Sequence, residues 1–152
     1  MRSRLFWVIV LLVSSGAAPL AQAAAPVVLV SIVDTEDCPV RIQSAEIDPG
    51  STSGLRVRYV VTNLQRKGID RLIVTAATVN REQRVTAVRI QTVEEPIDAR
   101  GRSEHFVVFP RLVPAAGERV VFGVQAVGWS GGREWRGAVR LAISASTNAA
   151  RD

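Results

Sequence analysis

The chain has one histidine and one cysteine, His105 and Cys38, with which to do imidazole or thiol chemistry. As a general base His105 would need a nucleophile on one ring nitrogen and an orienting carboxylate on the other. Serines and acids are plentiful, so counting does not exclude a triad, but SEHFVVF reads as a strand histidine at a sheet surface. A transition metal would find one His and one Cys to share, too few for its usual ligand sets. Asp34, Glu36 and Asp37 of DTEDC cluster hard oxygen ligands, yet lack the spacing and glycine of an EF-hand loop and read as a solvated acidic turn. Glu94, Glu95 and Asp98 read the same way. No G-x-x-x-x-G-K or G-x-G-x-x-G pattern offers a phosphate cradle. The expectation is a protein that is not an enzyme and uses no metal or cofactor.

Binding chemistry has a better candidate in VGWSGGREWRG, residues 127–137. If Gly131-Gly132 form a two-residue hairpin turn, Gly128 opposes Trp135 and Ala126 opposes Gly137 on an apolar face. Trp129 then opposes Glu134 and Val127 opposes Arg136 on a mixed, solvated face. This register puts Trp135 in the core and Trp129 on the wet face, with Arg136 diagonally placed for a cation–π contact. Tryptophan beside arginine is a composition enriched at binding hot spots. The expected binding residues are Trp129, Arg136, Val127 and Glu134. A slip of one residue would exchange the faces.

The segment that precedes these elements has a different character. Arg2 and Arg4 form a positive n-region, LFWVIVLLV an apolar run of nine residues, and SSGAAPLAQA a small-residue approach to a cut after Ala23. That is the pattern of a secretory signal peptide over 1–23, and its apolar run is too short to span a bilayer. The expected product is a soluble exported domain, periplasmic or extracellular in a bacterium, with no transmembrane segment in the mature chain. A lone cysteine cannot close an internal disulfide, so packing must hold the fold, with Cys38 as a small buried hydrophobe. The net charge of +5 falls to about +3 without the two leader arginines. Basic residues are scattered singly or in twos, so nucleic-acid binding is not expected. DARGRS (98–103) is a basic loop that could meet an anionic surface or glycan.

From residue 26 onward the pattern is strand and turn. LRVRYVVTN (55–63) alternates with period two, the mark of a half-buried strand. Similar runs are expected at 26–33, 40–47, 71–79, 84–93, 104–109, 119–129 and 133–144, closed by turn clusters such as DPGSTSG. The expectation is one β-sandwich domain over 24–145 with about seven or eight antiparallel strands, followed by a polar, disordered tail at 146–152.

LRVRYVVTNLQRKGIDRLIVTAATV, LVPAAGERVVFGVQAV and GWSGGREWRG together resemble exported bacterial immunoglobulin-like or fibronectin type III-like sandwiches. The resemblance implies the fold and a role in binding or assembly, and names no ligand. The function expected is therefore a non-catalytic module that contacts another envelope or extracellular protein. The edge strand Val28–Val33 is a second possible docking element. The alternatives are a carbohydrate- or envelope-binding module that uses Trp129, and an enzyme with an unrecognised site.

Overall fold

The computed structural model describes residues 28–48 and 53–137. The expected signal peptide, the part of the last strand beyond Gly137, and the tail lie outside these residues. Eight strands follow one another: β1 (Val30–Val33), β2 (Val40–Asp48), β3 (Gly54–Asn63), β4 (Arg71–Val79), β5 (Val85–Val93), β6 (Arg102–Pro110), β7 (Arg119–Gly128) and β8 (Glu134–Arg136). One sheet runs β1-β7-β4-β5, with β8 also paired to β7, and the other runs β2-β3-β6. The fold is all-β, in two layers consistent with a β-sandwich, and no helix occurs among the described residues. β1 holds an edge position, as expected, but pairs with β7 in parallel, so the expectation of antiparallel strands throughout is corrected there.

Alternation in the sequence explains most of the layering. On β3, Leu55, Val57, Tyr59 and Val61 are buried, while Arg56 and Arg58 turn outward to Asp48 and Glu46. Tyr59, Phe122 and Phe109 meet at the centre, with ring centroids 5.1 and 6.2 Å apart in tilted and edge-on pairs. β4 is covered on both faces: Leu72, Val74 and Ala76 enter the main core, and Ala77 and Val79 pack with Val121 on the other side. Such two-sided burial is what a central strand requires.

β6 departs from expectation at His105, which points inward with Val107 and Phe109 and is 3 % exposed. The alternation of RSEHFVVFP leaves Glu104, Phe106 and Val108 outside, so the histidine takes an interior place. β7 departs at Gln125. Ile73 pairs with Ala126 and Val74 with Val124, so Gln125 is the extra residue of a β-bulge. Val120, Phe122 and Val124 face the core before the bulge, and Val127 faces it afterwards.

Phe122 sits where the two layers meet and touches both other central rings. Phe122→Ala should therefore destabilise the fold by about 3–5 kcal/mol, since the cavity cannot close around Tyr59 and Phe109, both fixed on the facing sheet. Urea unfolding of the purified domain measures it, and a loss under about 1 kcal/mol would contradict this packing.

Candidate functional site

Three turns meet at one end of the sandwich. They are the β3–β4 turn (64–70), the β5–β6 loop (94–101) and the β7–β8 turn (129–133). Asn63, the last residue of β3 and 1 % exposed, joins the first two. Its side-chain amide donates to the carbonyls of Lys67 at 2.8 Å and Asp98 at 2.9 Å, with a longer 3.4 Å contact to Ile97. Its Oδ1 accepts from the Gln65 amide at 2.9 Å. Ile69 and Ile97 exchange both backbone hydrogen bonds, at 2.9 and 2.8 Å, and the Arg100 amide donates to the Gln65 carbonyl. The third turn is tied in through Asp70, whose amide donates to the Gly128 carbonyl and whose carboxylate accepts from Ser130 Oγ at 2.6 Å.

Between these turns lies a cleft of about 490 Å³, lined by Gln65, Arg66, Lys67, Arg100, Trp129, Ser130 and Arg133. Four of the seven lining residues are cations and none is a carboxylate. Among the described residues, none of the four comes within 4.0 Å of a carboxylate oxygen in an ion pair. Of the acids near these cations in sequence, Asp70 is engaged by Ser130 and Glu134 by Arg71 and Arg136 at 2.9 and 2.7 Å, while Asp98, two residues before Arg100, does not line the cleft. Arg100 holds a left-handed backbone (φ 57°), an uncommon and mildly strained state for a residue other than glycine. Charges scattered along the sequence are thus gathered in space, which a search for basic runs does not detect.

The expected binding residues separate. The β7–β8 register is one residue from the expected one: Val127 opposes Trp135, Gly128 opposes Glu134 and Ala126 opposes Arg136. The turn is a three-residue loop, closed by the Trp129 amide on the Arg133 carbonyl, with Gly131 and Gly132 at φ 92° and 81°. A longer loop and the Gln125 bulge together exchange the faces. Val127 is therefore 0 % exposed and not on a wet face. Trp129 and Trp135 both pack against the main core, half-buried. The Trp135 ring lies over Gly137, where a β-carbon would collide with it, and not over Gly128. Arg136 and Glu134 form an ion triplet with Arg71, which crosses Gly128 to reach it, so Arg136 does not serve Trp129. Of the four expected residues, Trp129 alone lines the cleft.

A second polar group lies on β6. Ser103 Oγ is 2.7 Å from His105 Nε2, and Glu95 Oε2 is 2.5 Å from Nδ1. That is the connectivity of an acyl-transfer triad. The ring, however, faces inward beside Tyr59 at 5.6 Å. The Tyr59 hydroxyl is enclosed without a hydrogen-bond partner, and burial, then the charge of Glu95, raises its pKa, so it stays a neutral phenol. The sequence also contains G-x-S-x-G at Gly128-Trp129-Ser130-Gly131-Gly132, the spacing of a nucleophile elbow. Here Ser130 sits on a β-hairpin rather than a strand-to-helix turn, and it donates to Asp70 rather than to a histidine. Among the described residues no group of three or more His, Cys, Asp or Glu could hold a metal ion.

A cleft of about 340 Å³ at the other end is lined by Arg81, Glu118, Arg119 and apolar residues. Its charges are mixed, and Arg119 is engaged by Gln83 at 2.5 Å. No family model, curated protein or solved structure matches the chain.

Two outcomes follow from these contacts. Asn63→Ala leaves the Lys67 carbonyl and the Gln65 amide without this partner, while the Ile97 and Asp98 carbonyls keep the Ile69 and Gly101 amides, and it should cost about 2–3 kcal/mol, readable by urea unfolding. Burial and then the nearby charge of Asp34 outweigh a backbone hydrogen bond from Val40 and raise the Cys38 pKa. Less thiolate is present at any given pH, so iodoacetamide should alkylate Cys38 more slowly than a free cysteine at pH 8, with the difference closing on denaturation.

Proposed function

We propose that the chain is an exported, non-catalytic binding module that docks on another component of the cell envelope through the Trp129 cleft. One observation carries the reading: a half-buried tryptophan beside four cations with no carboxylate partner, in a cleft built from two inter-sheet connections and the β7–β8 hairpin turn. Tryptophan and arginine dominate the energetics of binding sites, and turns on a rigid sheet scaffold are where such sites are built.

The strand order supports an immunoglobulin-like reading of the scaffold. Counted from β2, strands one, two and five share one sheet, and strands three, six and seven share the other. That is the partition A, B, E against C, F, G, with the fourth strand lying beside C. In this scheme the β3–β4 and β7–β8 turns are the B–C and F–G loops, and those loops cluster at the binding end of variable domains. β1 is an added strand, parallel to F.

The hydrolytic alternative draws on Ser103, His105 and Glu95, whose imidazole is enclosed, while the cleft faces solvent. Binding accounts for more of the arrangement.

The test is capture of partners from an envelope extract by the mature domain, beside a Trp129→Ala variant checked for matched thermal stability. Retention by the parent and loss by the variant is the expected result. Equal capture by both would move the contact away from the cleft.

A further inference from the structure

We infer that the group seated in the Trp129 cleft is an acidic sugar, carrying a carboxylate or sulfate ester, presented by a glycan. The inference rests on the binding reading above and specifies its ligand.

Charge supplies the first half. Arg66, Lys67, Arg100 and Arg133 approach one space from three turns, and no carboxylate lines it. Like charges gathered without a counter-charge repel, so an anion entering the cleft relieves a cost already present in the free protein. Three of the four are arginines, whose planar fork matches the two oxygens of a carboxylate or sulfate.

Shape supplies the second half. A volume of about 490 Å³ lies within the range of small-ligand sites, where a compact group is enclosed. It is small for a whole protein epitope, which covers about 800 Å² on each partner. Trp129 is held at its base by the core and offers the rest of its ring to the cleft. A sugar ring brings a flat C–H face to lay on an indole, with its acidic substituent one bond from that ring. An aspartate or glutamate side chain brings the charge without the face. Gln65 and the lone pairs of Ser130 remain to meet hydroxyl groups.

Arg100 provides a variant that tests charge without endangering the fold. Replacing it by glycine removes a cation and at the same time relieves its left-handed backbone. Arg100→Gly should therefore fold at least as stably as the parent.

The experiment is calorimetric titration of the purified protein with oligogalacturonate, a heparin oligosaccharide, neutral maltooligosaccharide and a poly-glutamate peptide of matched charge. Binding to one or both acidic oligosaccharides, with maltooligosaccharide inert and poly-glutamate at least about tenfold weaker, is the expected result. Binding to oligogalacturonate shows that a carboxylate suffices, whereas binding to the heparin oligosaccharide alone, which carries uronate carboxylates beside its sulfates, identifies the acid as sulfate. Trp129→Ala should lower that affinity about tenfold or more, and Arg100→Gly by severalfold with a shallower salt dependence. Poly-glutamate bound as tightly as the sugars, or sugar binding indifferent to Trp129→Ala, overturns the inference. If the sugars fail while Trp129→Ala still abolishes capture from the envelope extract, the ligand assignment falls and the binding reading stands. If both assays ignore Trp129→Ala, both fall.

Discussion

The buried side chain of Asn63 is the constraint on which the three-turn end of this molecule depends. A primary amide enclosed at the end of a central strand must find partners for two donors and an acceptor, or lose the free energy of its hydration. No neighbouring strand supplies them, because β3 ends there. The partners come from two loops more than thirty residues apart, the carbonyls of Lys67 and Asp98 and the amide of Gln65. Satisfying one residue therefore fixes the β3–β4 turn against the β5–β6 loop. Ile69 and Ile97 repeat the connection in the backbone and fill the space beneath it with apolar volume. Asp70 then carries the constraint on to the β7–β8 hairpin. The β3–β4 turn is thus the hub of the three, and the positions of Arg66, Lys67, Arg100 and Trp129 relative to one another follow from its bonds.

This construction explains how repelling charges can be held together. Exposed charges at 4 Å in water interact by only about 1 kcal/mol, and physiological salt lowers that further. A turn fixed by several backbone and amide hydrogen bonds, each contributing about 1 kcal/mol, tolerates such repulsion. The opposite face of the β7–β8 hairpin shows the ordinary solution: Arg71, Glu134 and Arg136 lie across three strands as an ion triplet, with Gly128 leaving room for the Arg71 stem. The same hairpin thus neutralises its cations on one side and leaves Arg133 unneutralised on the other.

The strands were legible because alternation is a local property. Leu55, Val57, Tyr59 and Val61 announce which way β3 faces, and the expected strands at 40–47, 55–63, 71–79, 84–93, 104–109 and 119–129 match β2 to β7 to within two residues at either end. The first is shorter than expected, Val30–Val33 within 26–33, and the last is observed over Glu134–Arg136. Facing failed where a single residue intervened. Gln125 looks like any polar strand residue, and nothing in RVVFGVQAVGW marks it as the bulge that turns Val127 and Trp129 to the core side. The loop length misled in the same way, since SGG supports a two- or a three-residue connection. His105 was misplaced because a titratable residue is expected at a surface, while the period of β6 puts it inside, where Ser103 and Glu95 complete its hydrogen bonds. The cleft was illegible for a different reason. Its residues at 65–67, 100 and 129–133 are separated in sequence and joined by topology, and no spacing rule links them.

Enclosure is what separates the two polar groupings of this fold. Ser103, His105 and Glu95 have the order of a catalytic relay, but a reacting carbonyl would need both access to Ser103 and a donor for the developing oxyanion. The inward imidazole is 3 % exposed, and on its inner side lies the ring of Tyr59, whose hydroxyl is sealed within the core. What the relay does physically is fasten: Glu95, 61 % exposed in the β5–β6 loop, holds a ring fixed on β6 and so limits where that loop can go. Arg100 lies in the same loop, five residues on. The enclosed network and the open cleft are then parts of one arrangement, in which buried hydrogen bonds remove the freedom of the loops before any ligand arrives. For the binding role proposed above, less freedom is then left to lose, and more of the contact energy of Trp129 and its cations can appear as affinity.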